Sequence, residues 1–417
     1  MSSEEVIEVE HLPLKIENGA TYSIVQANPN NYTHGMFKYP CKFIPEIPRW
    51  GIKKYSHKNT VVFDPFAGSG TSLLEANIHG YNALGTEIDD VAILLTKVKT
   101  KKLSKKQIKE LKKIQEELLQ RFSRNTQSKF RPVISNLSHW FSDDAINKLG
   151  LIRDEIKAQA DIDIADFLKV VLVSIIKKVS YADDASPKPY VSNNIKKVPP
   201  SVDSCFANTY SRYIKMVEEL NKIRALGSSE IIGKSALNFS LPHKTNLAIT
   251  SPPYINAFDY GRIMRLENIW LDFNDETSLR NKKKSYIGTE IIGRDFEPKH
   301  SDILKRSDLL KKYVSTIDKV DKKRALIVEK FFDDMLQNIQ CVHDNLCDRG
   351  KYMIVIGNSN IRKQEIESWR VLEQLAKSIG MKTDSYFSYI IKNPYIRIPR
   401  SGKGGKIAKD YIIVMEK

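Results

Sequence analysis

The sequence predicts an α/β fold that is interrupted by a mainly helical insert, and three observations carry this prediction. Between residues 60 and 88, an apolar strand, a glycine turn, a helix and a second apolar strand follow one another, which is the pattern of a β-α-β unit. The region 101–230 instead repeats its apolar residues at helical spacing. Further apolar runs that predict strands lie at 246–250, 351–357, 385–392 and 410–416.

The insert divides the predicted core into two parts. Residues 101–230 are too many for a loop inside one β-α unit, so we interpret them as a helical subdomain. The α/β core then comprises residues 36–100 and 231–417, preceded by an N-terminal arm over residues 1–35. Within the second part of the core, residues 272–325 are rich in charge and poor in apolar residues, which indicates a charged excursion.

The composition favours a protein that meets a polyanion. Lys and Arg number 66 against 50 Asp and Glu, so the formal net charge is +16 and the pI is near 9.4. No apolar run approaches the roughly 18 residues of a membrane-spanning helix, and the acidic start MSSEEVIEVE is unlike a signal sequence. We therefore expect a cytoplasmic protein. The four cysteines are scattered without CxxC spacing or nearby histidines, so neither a disulfide framework nor a metal site is expected.

The most informative local pattern is DPFAGSGT at residues 64–71, between an apolar strand and a helix. Gly68 and Gly70 let the backbone turn tightly and approach a ligand, while helix N-terminal amides face an anionic group. Such a turn alone also suits a dinucleotide or a mere bend. Glu87 ends the next strand about 20 residues later, where a carboxylate can accept the hydroxyls of a ribose. Without the turn, Glu87 would be an ordinary charge at the end of a strand.

A second pattern follows the strand at 246–250, where the chain continues as Ser251-Pro252-Pro253-Tyr254. The two prolines fix φ and remove backbone donors, so this segment is rigid and its carbonyl oxygens point outward. Taken alone, it is also consistent with a proline-stiffened loop.

Together these strings resemble the motifs of the amino-group DNA methyltransferases, which use S-adenosylmethionine as cofactor. DPFAGSGT followed by GTEID resembles their cofactor motif, and HGMFKYPCKFIP at residues 34–45 resembles the preceding segment that closes over the methionine end of the cofactor. The resemblance implies a class I Rossmann-like methyltransferase core with the helical region as an inserted subdomain. Where the family often has an acid contacting the adenine, this chain has Ser235. The cofactor-binding residues that the resemblance implies are Tyr39, Pro40, Asp64, Phe66, Gly68, Gly70, Thr71, Glu87 and Ser235.

The resemblance assigns catalysis to Ser251, Pro252, Pro253 and Tyr254. Hydrogen bonds from a base amine to Ser251 and to the Pro252 carbonyl would hold its protons and align the nitrogen lone pair with the methyl group. Tyr254 offers a flat face for an extruded base. Further pocket candidates in the segment that follows are Asn256, Asp259, Tyr260 and Arg262.

In the family, SPPY is associated more with cytosine N4 and DPPY more with adenine N6. We therefore favour a site-specific methyltransferase acting on cytosine N4 in double-stranded DNA, the modification enzyme of a restriction–modification system with a cognate endonuclease. The alternatives are adenine N6, an RNA methyltransferase or a non-catalytic nucleic-acid-binding protein. A cytosine-C5 enzyme would need a thiolate, and Cys41 follows Pro40 but lies before the cofactor motif. Residues 101–230, then 272–325, are the candidates for target recognition.

Overall fold

The computed structural model describes residues 5–25, 28–40, 42–194, 196–255, 260–293, 296–392 and 408–417. The strands in these ranges are β1 Val6–Val9, β2 Thr21–Ile24, β3 Val61–Asp64, β4 Asn82–Thr86, β5 Ser229–Gly233, β6 Thr245–Thr250, β7 Leu346–Gly357, β8 Ser359–Ile361, β9 Gln364–Ile366, β10 Lys382–Ile390 and β11 Lys409–Glu416. The helices are α1 Glu46–Tyr55, α2 Thr71–Ile78, α3 Asp90–Lys99, α4 Lys105–Ser123, α5 Leu137–Trp140, α6 Asp143–Ala158, α7 Ile162–Val179, α8 Val202–Asn221, α9 Tyr260–Ile263, α10 Arg265–Trp270, α11 Glu276–Lys282, α12 Ile303–Arg306, α13 Asp308–Asp318, α14 Lys322–Asn345 and α15 Ser368–Ser378.

The described strands form one nine-stranded sheet in the order β1-β2-β10-β11-β7-β6-β3-β4-β5, and β8 and β9 form a separate hairpin. Strands β3 to β7 run parallel, whereas β11 is antiparallel to both of its neighbours. Strand β3 lies between β4 and β6, with Val62 opposite Leu247. The predicted α/β class is confirmed. The two patterns that stand far apart in the sequence therefore lie at the ends of adjacent strands.

The central strands are buried on both faces of the sheet, which explains why their sequences are continuous apolar runs. In β3, Val62 packs on the face covered by α1 and α2, and Phe63 packs on the opposite face with α13, α14 and α15. Leu247 and Ala248 of β6 divide in the same way. Helices thus cover both faces, as expected of an open parallel sheet.

The region 101–230 contains four long helices, α4, α6, α7 and α8, close to the helical segments that the apolar spacing predicts. Helix α4 begins at a capping box of Ser104 and Gln107, and α6 and α7 begin at the side-chain caps Ser142 and Asp161. These helices share one apolar cluster with α3 and with α10 and α11 from beyond the insert, and Trp270 of α10 is fully buried in it. The insert is therefore packed against the segment that follows the Ser-Pro-Pro-Tyr pattern.

Strands β1 and β2 lie within the segment predicted to be an N-terminal arm. Each has only four residues, so neither shows a clear periodicity in the sequence. They pair in parallel, and β2 also pairs with β10 through Thr21 and Tyr22. Their place is at the edge of the sheet.

Among the described residues, no helix combines the length and the apolar character needed to cross a lipid bilayer.

Candidate active site

A pocket lies where the carboxyl ends of β3, β4 and β6 meet, and its cavity volume is about 290 Å³. Parallel α/β sheets bind ligands at this edge. Of the predicted site residues, nine line the cavity: Tyr39, Pro40, Phe66, Gly68, Thr71, Glu87, Ser235, Ser251 and Pro253. The other four, which are not part of its lining, are Asp64, Gly70, Pro252 and Tyr254.

The glycine turn between β3 and α2 needs both of its glycines, for different reasons. Gly68 and Gly70 adopt positive φ angles of 52° and 79°, a region that side chains disfavour. A β-carbon on Gly70 would also lie 2.8 Å from the hydroxyl oxygen of Thr96 on α3. Gly70 therefore allows the turn to pack against α3, while Gly68 exposes its backbone to the cavity.

Glu87, at the end of β4, faces the cavity with a carboxylate already held by the backbone. Its Oε2 accepts a hydrogen bond from the Gly68 amide at 2.7 Å, and its Oε1 accepts from the Ile88 and Asp89 amides, each at 2.8 Å. A carboxylate has about four acceptor positions, so these three bonds leave a position on Oε2 for a ligand hydroxyl. Burial, with a smaller contribution from the neighbouring Asp89 charge, raises the pKa of Glu87 to about 7 against the opposing effect of these hydrogen bonds.

Asp64 lies beneath the turn and outside the cavity lining. Its Oδ1 accepts hydrogen bonds from the Thr250 hydroxyl at 2.6 Å and from the Phe66 amide at 3.0 Å. Burial raises its pKa to about 6. Because Thr250 immediately precedes Ser251, this carboxyl group links the glycine turn directly to the Ser-Pro-Pro-Tyr segment.

The segment that precedes the turn is attached by a buried ionic group. The His34 Nε2 lies 2.9 Å from Oε1 of Glu75 on α2, and Arg49 of α1 donates to both oxygens of the same carboxylate. Burial lowers the pKa of His34 to about 4, so this histidine is neutral at pH 7. Burial alone would raise the pKa of Glu75, but the bonds from His34 and Arg49 outweigh it and hold that pKa below its usual value. This anchor holds Tyr39 and Pro40 at the wall of the cavity.

The Ser-Pro-Pro-Tyr segment leaves β6 with Ser251 and Pro253 on the cavity wall. Pro252 is buried, and the Tyr254 hydroxyl donates to Oδ1 of Asp410 at 2.6 Å. Ser251 and Glu87 therefore belong to one cavity although they lie on different strands.

A segment of the charged region 272–325 closes one side of the cavity. We call residues 283–288 the strap, and its Ser285, Tyr286 and Ile287 line the cavity. It follows α11, whose last residue Lys282 lies 2.7 Å from Oδ2 of Asp90, while Lys234 lies 2.6 Å from Oδ1. Burial opposes the charge on Asp90, but these hydrogen bonds lower its pKa to about 2. The Asp90 carboxylate thus connects both sides of the cavity rim.

Three tyrosines from distant parts of the chain form a row beside the acids. The rings of Tyr39 and Tyr260 are stacked with centroids 6.1 Å apart, and those of Tyr260 and Tyr286 are 6.2 Å apart. The Tyr286 hydroxyl also contacts Asp89 at 3.4 Å. The strap was not predicted from the sequence, where its signal is an aromatic residue and a glycine, Tyr286 and Gly288, inside a charged stretch.

Other predicted residues have different positions. Ser235 is exposed at the cavity rim, where its hydroxyl accepts from the Leu237 amide at 3.2 Å. Arg262 is exposed and does not line the cavity, while Tyr260 does. Cys41, Asn256 and Asp259 lie outside the described residues. In the described part of the chain, no group of three or more His, Cys, Asp or Glu is arranged to hold a metal ion.

Comparison with known proteins agrees with this geometry. A family profile described as DNA methylase matches residues 6–98, which include the glycine turn and Glu87. The chain is 24% identical over 424 residues to the Type II methyltransferase M.MvaI of Kocuria varians, covering 94% of this chain and 91% of that protein. The profile and this relative support an amino-group DNA methyltransferase of the restriction–modification type.

Two more relatives of this methyltransferase match shorter parts. It is 25% identical over 297 residues to the Type II methyltransferase M.BsoBI of Geobacillus stearothermophilus, covering 64% of this chain and 58% of that protein. It is 31% identical over 120 residues to the Type II methyltransferase M.MjaII of Methanocaldococcus jannaschii, covering 28% of this chain and 22% of that protein.

S-adenosylmethionine is the cofactor of this methyltransferase, and the residues of the pocket fit it. The cofactor has an anionic carboxylate and ribose hydroxyls, which need donors and an acceptor respectively. The N-terminus of α2 is suited to the carboxylate, and Glu87 Oε2, which already accepts from the Gly68 amide, retains an acceptor position for a hydroxyl. The Ser69 hydroxyl is buried in the pocket wall with no hydrogen-bond partner among the described residues, so it also remains available to a polar ligand.

Proposed function

We propose that this enzyme methylates the exocyclic N4 amine of a cytosine that is extruded from double-stranded DNA. One observation carries the proposal: Ser251 and Pro253 share a single cavity with Gly68 and Glu87. A cofactor held at the turn therefore has its reactive end near the Ser-Pro-Pro-Tyr segment. The net charge of +16 supports a polyanionic substrate.

The chain's own residues provide a binding site in three parts. The turn at Phe66 to Thr71 holds the methionine end, with Tyr39 and Pro40 as its cover. Glu87 accepts a ribose hydroxyl, and Ser235 lies at the adenine end. Asp64 and Gly70 act from behind the cavity, because they shape the turn without lining it.

Transfer then requires orientation and the exclusion of water more than acid–base chemistry. When bound, S-adenosylmethionine supplies an electrophilic methyl group on a sulfonium leaving group. The Ser251 hydroxyl and the Pro252 carbonyl would accept hydrogen bonds from the amine and so leave the nitrogen lone pair free to accept the methyl group. The nitrogen afterwards releases one proton to solvent, and no covalent intermediate with the protein is needed. Tyr254 provides the stacking face for the extruded base.

The names of the relatives support a role in restriction and modification. All three are Type II methyltransferases, and the resemblance to M.MvaI extends over nearly the full length of both chains. We therefore propose that the enzyme protects the sites of a cognate endonuclease. The helical region 101–230, with residues 272–325 second, is proposed to read the target.

The deciding experiment measures methyl transfer from labelled S-adenosylmethionine to duplex DNA, followed by digestion to nucleosides. Wild type is compared with Ser251→Ala and with Cys41→Ala. We expect label in N4-methylcytosine, lost in the Ser251 variant and kept in the Cys41 variant.

Other products would change the proposal in defined ways. N6-methyladenine would replace the target base and leave the mechanism intact. C5-methylcytosine that depends on Cys41 would refute the amine mechanism, because carbon methylation needs a thiolate nucleophile. Label in RNA alone, or no label, would refute the DNA substrate.

A further inference from the structure

The tyrosine of the Ser-Pro-Pro-Tyr segment is held at its hydroxyl by an acid that the sequence patterns do not include. The Tyr254 hydroxyl donates to Oδ1 of Asp410 at 2.6 Å. The Tyr389 hydroxyl donates to the other oxygen, Oδ2, at 2.8 Å. Asp410 and Tyr389 are 6% and 3% exposed, so the acid is closed to solvent, while Tyr254 is half-buried.

Asp410 is a rigid support because it lies in the middle of the sheet. It is the second residue of β11 and pairs with Tyr389 of β10 on one side and with Gly357 of β7 on the other. Tyr254 comes four residues after the end of β6, and β7 lies between β6 and β11. The tyrosine therefore reaches across the end of β7 to bond with a residue whose backbone cannot shift without breaking the sheet.

The backbone of Tyr254 is confined as well. A β-carbon on Gly288 of the strap would lie only 2.6 Å from the Tyr254 carbonyl oxygen. The Tyr254 carbonyl thus lies close against the strap, and the Tyr254 hydroxyl is bonded to Asp410. Hydrogen bonds to a carboxylate are stronger than those between neutral groups, so the direction of the ring is strongly specified.

We propose that Asp410 is a positioning residue that sets the orientation of the Tyr254 ring against the extruded base and acts on methyl transfer only through that ring. The inference rests on the proposed function, in which Tyr254 stacks on the target base. A ring whose orientation is already fixed loses little conformational entropy when the base binds, so the base is held in line with the methyl group. Asp410 itself touches neither base nor cofactor, because it is buried behind Tyr254.

The test is a double-mutant cycle on methyl transfer in a single turnover, using Asp410→Leu, Tyr254→Phe and the double variant. Leucine keeps the branching at Cγ and removes the acceptor, and phenylalanine keeps the ring and removes the donor. We expect each single variant to slow transfer about tenfold, which is the typical worth of a hydrogen bond to a charged group. The double variant should be no slower than Tyr254→Phe alone. Asp410→Asn retains one acceptor oxygen and should recover most of the rate.

Two readouts separate positioning from a loss of structure. DNA with 2-aminopurine in place of the target base reports stacking by its fluorescence, and we expect Asp410→Leu to raise that fluorescence. The Kd of S-adenosylmethionine should stay unchanged. The matched control is Tyr55→Phe. The Tyr55 hydroxyl likewise donates to a carboxylate at 2.6 Å, that of Asp384, and neither residue lines the cavity. The control variant should leave transfer and fluorescence as in wild type.

Several outcomes would overturn the inference. If the rate reductions of the two single variants multiply in the double variant, Asp410 does not act through the tyrosine. A wild-type rate in Tyr254→Phe would show the same. The second result decides the matter even where Asp410→Leu fails to fold. Wild-type enzyme that transfers no methyl to DNA would remove the proposed function and this inference together, whereas active wild type with unaffected Asp410 variants would remove the inference alone.

Discussion

Gly288 approaches the carbonyl oxygen of Tyr254 so closely that a β-carbon would lie 2.6 Å from it. The φ angle of Gly288 is +75°, which independently disfavours a side chain. The strap can therefore lie over the Ser-Pro-Pro-Tyr segment only with glycine at this position.

Replacing Gly288 with alanine should open the strap. Strain at a positive φ costs about 1–3 kcal/mol, and release of the strap removes it. We expect Gly288→Ala to weaken S-adenosylmethionine binding by about tenfold, the equivalent of ~1.4 kcal/mol, as measured by titration calorimetry. Gly293→Ala is the control, because a β-carbon there meets nothing within 4 Å. Equal affinity in the two variants would contradict a closing role for the strap.

The contact of Asp90 with Lys282 and Lys234 should slow cofactor release. Asp90→Asn removes the charge that holds the two lysines at the rim, so we expect dissociation of S-adenosylmethionine to accelerate by about three- to tenfold, or roughly 0.7–1.4 kcal/mol. Stopped-flow displacement measures this rate. Asp302→Asn breaks a comparable pair with Arg306 away from the cavity and should keep the wild-type rate. A rate that is unchanged in Asp90→Asn would show that the rim contact does not limit release.

Cofactor binding should weaken as pH falls through 7. The pKa of Glu87 is raised to about 7, so its carboxyl is increasingly protonated below that pH and loses its acceptor for the ribose. In the limit of full coupling, affinity should drop about fivefold between pH 7 and pH 6 and about tenfold between pH 8 and pH 6. Glu87→Gln should bind more weakly at pH 8 and lose this dependence, and a persisting slope in that variant would assign it to another group.

The same shift predicts the opposite trend for the stability of the free protein. A pKa raised above the unfolded value of 4.5 means that Glu87 favours folding below pH 4.5 and loses this contribution as pH rises through 7. Urea unfolding of the cofactor-free enzyme at several pH values, compared with Glu87→Gln, measures the difference. The free energy of unfolding of Glu87→Gln should vary less with pH between pH 5 and pH 7 than that of the wild type.

Lys99 should lower stability at neutral pH. Its side chain is 1% exposed, with Nζ 3.2 Å from the Ser69 carbonyl oxygen, and burial lowers its pKa well below the usual value. The unfolded chain keeps the proton on Lys99 up to about pH 10.5, whereas the folded chain loses it at lower pH. The free energy of unfolding therefore rises with pH between the lowered pKa and pH 10.5. We expect Lys99→Met to raise it by about 1–2 kcal/mol at pH 7 and to remove that rise. The control Lys109→Met, at an exposed position of α4, should change the free energy of unfolding little. If Lys99→Met destabilises the protein, the hydrogen bond of Lys99 to the Ser69 carbonyl contributes more stability than the burial of the charge removes.

The parts of the fold that the sequence predicted are those fixed by local pattern. Strands β3, β6 and β7 are apolar because both faces of the sheet are covered, and the helices of the insert repeat their apolar residues on one side. Strands β1, β2 and β5 were missed, since four or five residues of mixed polarity carry no periodicity. Their pairing depends on neighbours that lie far away in the chain.

The site shows the same division. The turn at Gly68 and the acid at Glu87 are local features with a chemical reason visible in the sequence. The contacts of Asp90 with Lys282 and of Asp410 with Tyr254 join residues more than a hundred positions apart, which only the folded chain brings together. Asp64 illustrates the limit most directly. Its position in the motif suggested a ligand contact, whereas its partners are Thr250 and the Phe66 amide.

The apolar cluster that the insert shares with α10 and α11 limits how the insert could be exchanged between related enzymes. An insert transplanted alone into another core would leave Trp270 and its neighbours facing an unmatched surface. A unit that keeps this cluster intact would comprise the insert together with α3 and residues 260–282. Because the strap begins directly after residue 282, an exchange of that unit would end beside the element that lines the cofactor pocket.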